Sequence, residues 1–191
     1  SICWGACLVV FLATVSAFAS TGTITQLTNN DSYDELRGLD NGQVLWRGWD
    51  GNDFEIFLFD GAQTRRLTDN DSNDSDPFLR DGQVVWVGRD GPNSAIFFYD
   101  GAGTRTLTNL GYDNFAPSVH NGQVAWLGND GLNTNVFFYD GVQPPRSLAV
   151  CEDCLGTYIN DGKVFWIGNG NHLYFYDGAG AQRISNNPVF Y

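Results

Sequence analysis

Short apolar runs, each closed by a turn residue, organise most of this chain. One unit shows the pattern. "PFLRDG" (Pro77–Gly82) reads as a short strand ending at a glycine turn, and "QVVWVG" (Gln83–Gly88) as a β-branched and aromatic strand. "SAIFFYDG" (Ser94–Gly101) predicts a third strand, and "TRTLT" (Thr104–Thr108), alternating polar and apolar, a fourth. Asp81-Gly82 joins the first two. Such a pair is a strong hairpin signal, because both central residues must accept positive φ. "VVWV" (Val84–Val87) and "IFFY" (Ile96–Tyr99) are continuous apolar runs, which fit strands covered on both faces.

The unit recurs. "NGQVLWRGWDG" starts at Asn41, "DGQVVWVGRDG" at Asp81, "NGQVAWLGNDG" at Asn121 and "DGKVFWIGNG" at Asp161. Trp46, Trp86, Trp126 and Trp166 follow one another at intervals of 40 residues. A second marker, Asp-Gly after an aromatic run, falls at Asp60, Asp100, Asp140 and Asp177. Leu-Thr or a variant of it falls at Leu27, Leu67, Leu107 and Leu148. Four antiparallel strands in a period of about 40 residues is the signature of a β-propeller blade. The fold expected is therefore all-β, a propeller of four-stranded antiparallel blades. The repeats run Leu27–Arg66, Leu67–Thr106, Leu107–Ser147 and Leu148–Ser185. A β-sandwich is the alternative, but it leaves the phase unexplained. Arg65, Arg105, Arg146 and Arg183 fall in the fourth strands, where charge blocks edge-to-edge pairing. "TITQLT" (Thr23–Thr28) reads as a fourth strand without earlier partners, and "NNPVFY" (Asn186–Tyr191) as the start of another first strand. Because Ala181–Ser185 already supplies the last repeat's fourth strand, either the ring is four-bladed with one strand unpaired, or these repeats are part of a larger ring, the alternative that the second segment favours.

The phrases "LTDNDSNDSDPFLRDGQVVWVGRDGPNSAIFFYDG" (Leu67–Gly101) and "LTNLGYDNFAPSVHNGQVAWLGNDGLNTNVFFYDG" (Leu107–Gly141) resemble the repeats of TolB-like, WD40-like β-propellers. The resemblance spans nearly all of residues 20–191. It departs where that family has Ser-Pro before the Asp-Gly, since this chain has "FLRDG" and "APSVHNG". It implies an exported scaffold that binds other proteins.

Composition narrows the partners. Of 191 residues, 22 are Asp or Glu and 10 Lys or Arg, for a net charge of −12. Such a surface repels nucleic acid and anionic lipid, whose phosphates need basic side chains. It favours cations, basic proteins or neutral glycans. "ICWGACLVVFLATVSAFA" (Ile2–Ala19) has no charge and ends in Ala-Phe-Ala. That predicts residues 1–19 to be a secretory signal cut after Ala19, with a periplasmic or secreted product and no membrane insertion after cleavage. A membrane anchor is the alternative. Cys3 and Cys7 would leave with the signal. Cys151 and Cys154, in "CEDC", are then expected as a local disulfide, with half a metal site or free thiols as alternatives.

Chemistry, if present, belongs to the loops. The loop before the first strand and the loop between the second and third share one face of a blade. It collects Asp31, Asp34, Asp69, Asp71, Asp74, Asp76 and Asp113 from one loop class, and Asp50, Asp53, Asp90 and Asp130 from the other. Such an oxygen-only rim suits Ca²⁺, and "DNDSNDSD" offers Asp69, Asp71, Asp74 and Asp76 as ligands. It is not an EF-hand loop, because its sixth position is Asp74 rather than Gly. Asx turns explain the same residues without a metal. Catalysis has no sequence support beyond a pair of rim carboxylates acting as acid and base. There is no nucleophile elbow, and His120 and His172 lie in loops without marked partners. The fourth repeat is the odd one: it shortens its second loop and places "AVCEDCLG" (Ala149–Gly156) where the others have Asp-rich loops. The reading expected is a binding scaffold for a protein or glycan. A calcium-dependent polysaccharide hydrolase or lyase, and a structural cell-surface repeat protein, are the alternatives.

Overall fold

The computed structural model describes residues 24–89, 92–108 and 111–188. Their sixteen strands form four separate antiparallel sheets, each a meander in chain order. The first blade holds β1 (Asp34–Asp40), β2 (Gln43–Trp49), β3 (Phe54–Phe59) and β4 (Thr64–Arg66). The second holds β5 (Ser75–Arg80), β6 (Gln83–Arg89), β7 (Ser94–Tyr99) and β8 (Thr104–Thr106). The third holds β9 (Asp113–His120), β10 (Gln123–Asn129), β11 (Thr134–Tyr139) and β12 (Arg146–Cys151). The fourth holds β13 (Gly156–Asn160), β14 (Lys163–Gly168), β15 (His172–Tyr176) and β16 (Ala181–Arg183). This is the architecture of propeller blades, not of two stacked sheets.

The turns form as their chemistry requires. Asn41-Gly42, Asp81-Gly82, Asn121-Gly122 and Asp161-Gly162 all take positive φ, between 47° and 78°, as a two-residue primed hairpin turn demands. Register then follows from the alternation of side chains. Trp46, Trp86, Trp126 and Trp166 pair across the sheet with Phe57, Phe97, Phe137 and Tyr174.

Three cores lie between consecutive blades. Leu45, Ile56 and Leu58 of the first blade meet Leu79, Val84 and Trp86 of the second. Val85, Ile96 and Phe98 of the second meet Val119, Val124 and Trp126 of the third. Ala125, Val136 and Phe138 of the third meet Ile159, Val164 and Trp166 of the fourth. Neighbouring residues of one strand thus face different blades, which is why the runs carry no polar alternation.

The Leu-Thr marker closes a blade rather than opening one. The Leu67 and Leu107 amides donate to the carbonyls of Ile56 and Ile96. The Thr68 and Thr108 hydroxyls accept from the amides of the same isoleucines. Among the described residues Leu27-Thr28 has no such partner. The strand expected over Thr23–Thr28 is not formed by the described residues of that segment, and no strand among the described residues pairs with it. Leu27 and Thr28 instead wall a cavity of about 260 Å³ beside Trp46 and Phe57. Asn186–Pro188 hold no strand either. The signal segment, and Val189, Phe190 and Tyr191 of the last expected strand, lie outside the described residues.

The stack is open. Among the described residues, no core joins the fourth blade to the first. Leu39 is 74% exposed, against 8% for its equivalent Leu79, 0% for Val119 and 2% for Ile159. At the other end Phe165, Ile167, Leu173 and Phe175 are half-buried, where Val85, Val87, Ile96 and Phe98 are buried.

Candidate functional site

Two loop classes converge on one face, as the strand order requires. The Phe54 amide donates to Asn73 Oδ1 at 3.1 Å, and the Asp74 amide to the Phe54 carbonyl at 2.8 Å. These bonds tie the β2–β3 loop of the first blade to the β4–β5 loop entering the second. A cavity of about 530 Å³ opens beside them, lined by Asn52, Asp53, Asp71, Ser72, Asn73 and Arg89 among others.

The four aspartates of "DNDSNDSD" take four different roles. Asp74 is buried and accepts from Trp86 Nε1 at 3.1 Å and from Asn70 Nδ2 at 2.9 Å. Asn114 accepts from Trp126 Nε1 at 3.0 Å in the same way, so this position anchors the blade's tryptophan. Burial pushes the Asp74 carboxyl up to about 6, with the neighbouring Glu55 adding to the rise and Asn70 opposing it. Asp69 is exposed and pairs with Arg66 at 2.8 Å. Asp71 lines the cavity, and Asp76 sits with φ 47° at the bulge of β5. These residues do not assemble as one ligand set.

A different acid group does. Among the described residues, Asp50, Asp53 and Glu55 each place a carboxylate oxygen within 4.8 Å of the others. Asp50 opens the β2–β3 turn, where its Oδ1 accepts from the amides of Asn52 and Asp53. These bonds hold its carboxyl below the usual aspartate range. Glu55 lies on β3 and is 0% exposed. Its Oε1 accepts from Arg66 Nη2 and the Asn70 amide, both at 2.9 Å. Asp53 is 4% exposed, and neither of its carboxylate oxygens meets a donor; nor does Glu55 Oε2. Burial pushes the Asp53 carboxyl up, helped by the charges of Glu55, Asp50 and Asp71. One guanidinium, Arg66, serves Asp50, Glu55 and Asp69 together. Sequence reasoning missed Glu55. The signal was present: β3 is otherwise apolar, and the equivalents of Glu55 are Ala95 and Asn135.

The tryptophans are structural. Trp86, Trp126 and Trp166 are 1% exposed, and all four stack on their cross-strand rings at 5.5–5.7 Å. Cys151 and Cys154 form a disulfide with Cα atoms 6.0 Å apart, and both are buried. Cys154 Sγ lies over Gly168, the place that Asn114 Oδ1 takes over Gly128. The fourth blade thus puts a half-cystine where the second and third put an indole acceptor. His120 lies on the hairpin side, where its Nδ1 accepts from the Asp161 amide at 3.0 Å. His172 Nδ1 is 3.3 Å from Ser185 Oγ. Neither histidine faces the acidic cavity. Among the described residues no helix is long and apolar enough to cross a membrane.

No family model matches the chain. No curated protein matches it either. Solved structures do share its fold. The β-propeller domain of the trilobed protease from Pyrococcus furiosus superposes with a TM-score of 0.59 at 11% identity, over 84% of this chain and 57% of that one. Acylaminoacyl peptidase from Pyrococcus horikoshii gives 0.58 at 13% identity, over 82% and 27%. A chain of a nidogen/laminin complex gives 0.54 at 16% identity, over 76% and 61%. The chain therefore spans less than two thirds of each of these structures, and the likeness is one of β-propeller fold.

Proposed function

We propose that this chain is an exported, TolB-like propeller scaffold that binds a protein or glycan partner on its acidic loop face. The observation that carries the reading is the cavity of about 530 Å³ at the junction of the first two blades. Most of its rim is Asn, Asp and Ser side chains, which match hydroxyl and basic groups, with Arg89 the one cationic side chain among the described lining residues. Hydrogen-bonded turns hold it on a rigid stack, which suits recognition by loops on a fixed frame. The opposite, hairpin face ties its own groups together. Asn121 Nδ2 donates to Asp161, the Gly122 amide to Gln83, and Arg80 to Asn160. Export rests on the Ile2–Ala19 segment, and kinship with TolB-like proteins rests on the repeat phrases.

The test is a glycan array and a panel of basic proteins, probed with the wild-type chain and two variants. Asp71→Lys alters the loop face, and Asp161→Lys alters the hairpin face. A ligand lost by the first variant and kept by the second supports the reading. A ligand that responds only to Asp161→Lys, or no ligand on either platform, overturns it.

A further inference from the structure

We infer that Asp50, Asp53 and Glu55 form a binding site for one hard divalent cation, Ca²⁺ by preference, at the base of the first blade's β2–β3 loop. The site adjoins the cavity of the proposed binding face, sharing Asp53 with its wall, but it does not depend on that reading, and its ligands are other residues than the Asp-rich loop.

Three observations carry it. First, the three carboxylate oxygens lie within 4.8 Å of one another. Oxygens bound to one ion at about 2.3–2.6 Å are separated by no more than roughly twice that distance, so one Ca²⁺ can bridge all three. Second, Asp53 is almost fully buried with both oxygens unpartnered, and Glu55 is wholly buried with Oε2 unpartnered. A buried carboxylate without donors is strongly unfavourable unless a cation or proton meets it. Backbone amides, which satisfy Asp50 Oδ1, do not reach these atoms. Third, local charge is unbalanced. Asp50, Glu55 and Asp69 share Arg66, while Asp53 has no ion pair, and Asp71 and Asp74 add negative charge nearby.

The donor set is all oxygen, which selects Ca²⁺ or Mg²⁺ over thiophilic metals. Three carboxylates on a turn and a strand leave the remaining positions to water from the adjoining cavity, whose wall includes Asp53. Ca²⁺ tolerates such an irregular shell, whereas Mg²⁺ demands near-octahedral geometry. The site is particular to the first blade. The residues aligned with Glu55 are Ala95, Asn135 and His172, and those two residues before them are Asn93, Asn133 and Gly170.

The experiment is calorimetric titration of the EDTA-stripped chain with CaCl₂ and MgCl₂, paired with thermal melts in Ca²⁺ and in EDTA. The wild-type chain is expected to bind one Ca²⁺, more tightly than Mg²⁺, and to melt higher with it. Asp53→Asn should weaken Ca²⁺ binding by about tenfold or more, since affinity follows ligand charge. In EDTA the same variant should melt no lower than wild type, because it removes an unpaired buried charge. A merely structural role would lower both melts. Asp50→Asn, which keeps its turn acceptor, is the second variant and should weaken binding similarly. Asp69→Asn should change binding by less than about threefold. Absence of Ca²⁺ binding by the wild-type chain overturns the site. So does binding that survives Asp53→Asn and Asp50→Asn but fails in Asp69→Asn.

Discussion

In the second and third blades one glycine is fixed by its contact with the tryptophan anchor, and the first and fourth carry a glycine at the same place. Gly48, Gly88, Gly128 and Gly168 follow the repeated Trp by two positions, so they share its face of the strand. A Cβ on Gly128 would lie 2.8 Å from the Phe137 ring and 3.0 Å from Asn114 Oδ1. Both neighbours are held. Phe137 stacks on Trp126, and Asn114 accepts from its indole and donates to the Ser94 and Tyr112 carbonyls. Gly128→Ala is therefore expected to destabilise the chain by about 1–3 kcal/mol through overpacking. Gly103→Ala, where a Cβ meets nothing within 4 Å, should stay within about 0.5 kcal/mol of wild type. Urea denaturation compares the two directly. Equal effects would mean that the Trp–aromatic–Asn packing does not restrict this position.

At the scale of elements, the third and fourth strands of each blade are joined by one repeated turn. Asp60, Asp100, Asp140 and Asp177 each accept two backbone amides on Oδ1, and the following glycine takes φ between 93° and 105°. Those amides hold all four carboxyls below the ordinary value of 3.8, Asp60 at about 2. A folded-state pKa below the unfolded one gives stability that is present above the unfolded value and lost as pH falls through the folded one. The melting temperature is thus expected to fall between about pH 4 and pH 2 through these turns. Replacing all four aspartates by Asn keeps the acceptors and should flatten that limb; an unchanged limb would place the acid sensitivity elsewhere. These turns and the hairpins were legible in the sequence, because Asp-Gly and Asn-Gly determine a local conformation. The Trp phase likewise gave the blades. The acid cluster was not legible in the same way. Composition pointed to the Asp-rich loop, yet Asp74 serves Trp86 and Asp69 serves Arg66. Local sequence could not show those long-range partners, nor that Glu55 on an apolar strand would be buried beside Asp53.

The whole molecule is a row of interfaces rather than one core, and its energetics should depend on position in the row. In a stack of repeats, stability is approximately a sum of blade terms and nearest-neighbour terms. Phe98 and Phe175 occupy the same place in their blades, each paired across the sheet beside the Trp-bearing rung, with Val85 and Phe165 respectively. Their surroundings differ. Phe98 is 0% exposed between the second and third blades, whereas Phe175 lies half-buried on the outward face of the fourth. Truncating Phe98 removes a ring from a packed interface, so Phe98→Ala is expected to cost about 3–5 kcal/mol. Phe175→Ala removes contacts on one side only and is expected to cost less than about half of that. Chemical denaturation of the two variants in the same buffer gives the comparison. The order matters more than the sizes, because both changes delete the same atoms from the same rung. A cost for Phe175→Ala equal to that for Phe98→Ala would mean that the outward face of the fourth blade is covered in solution.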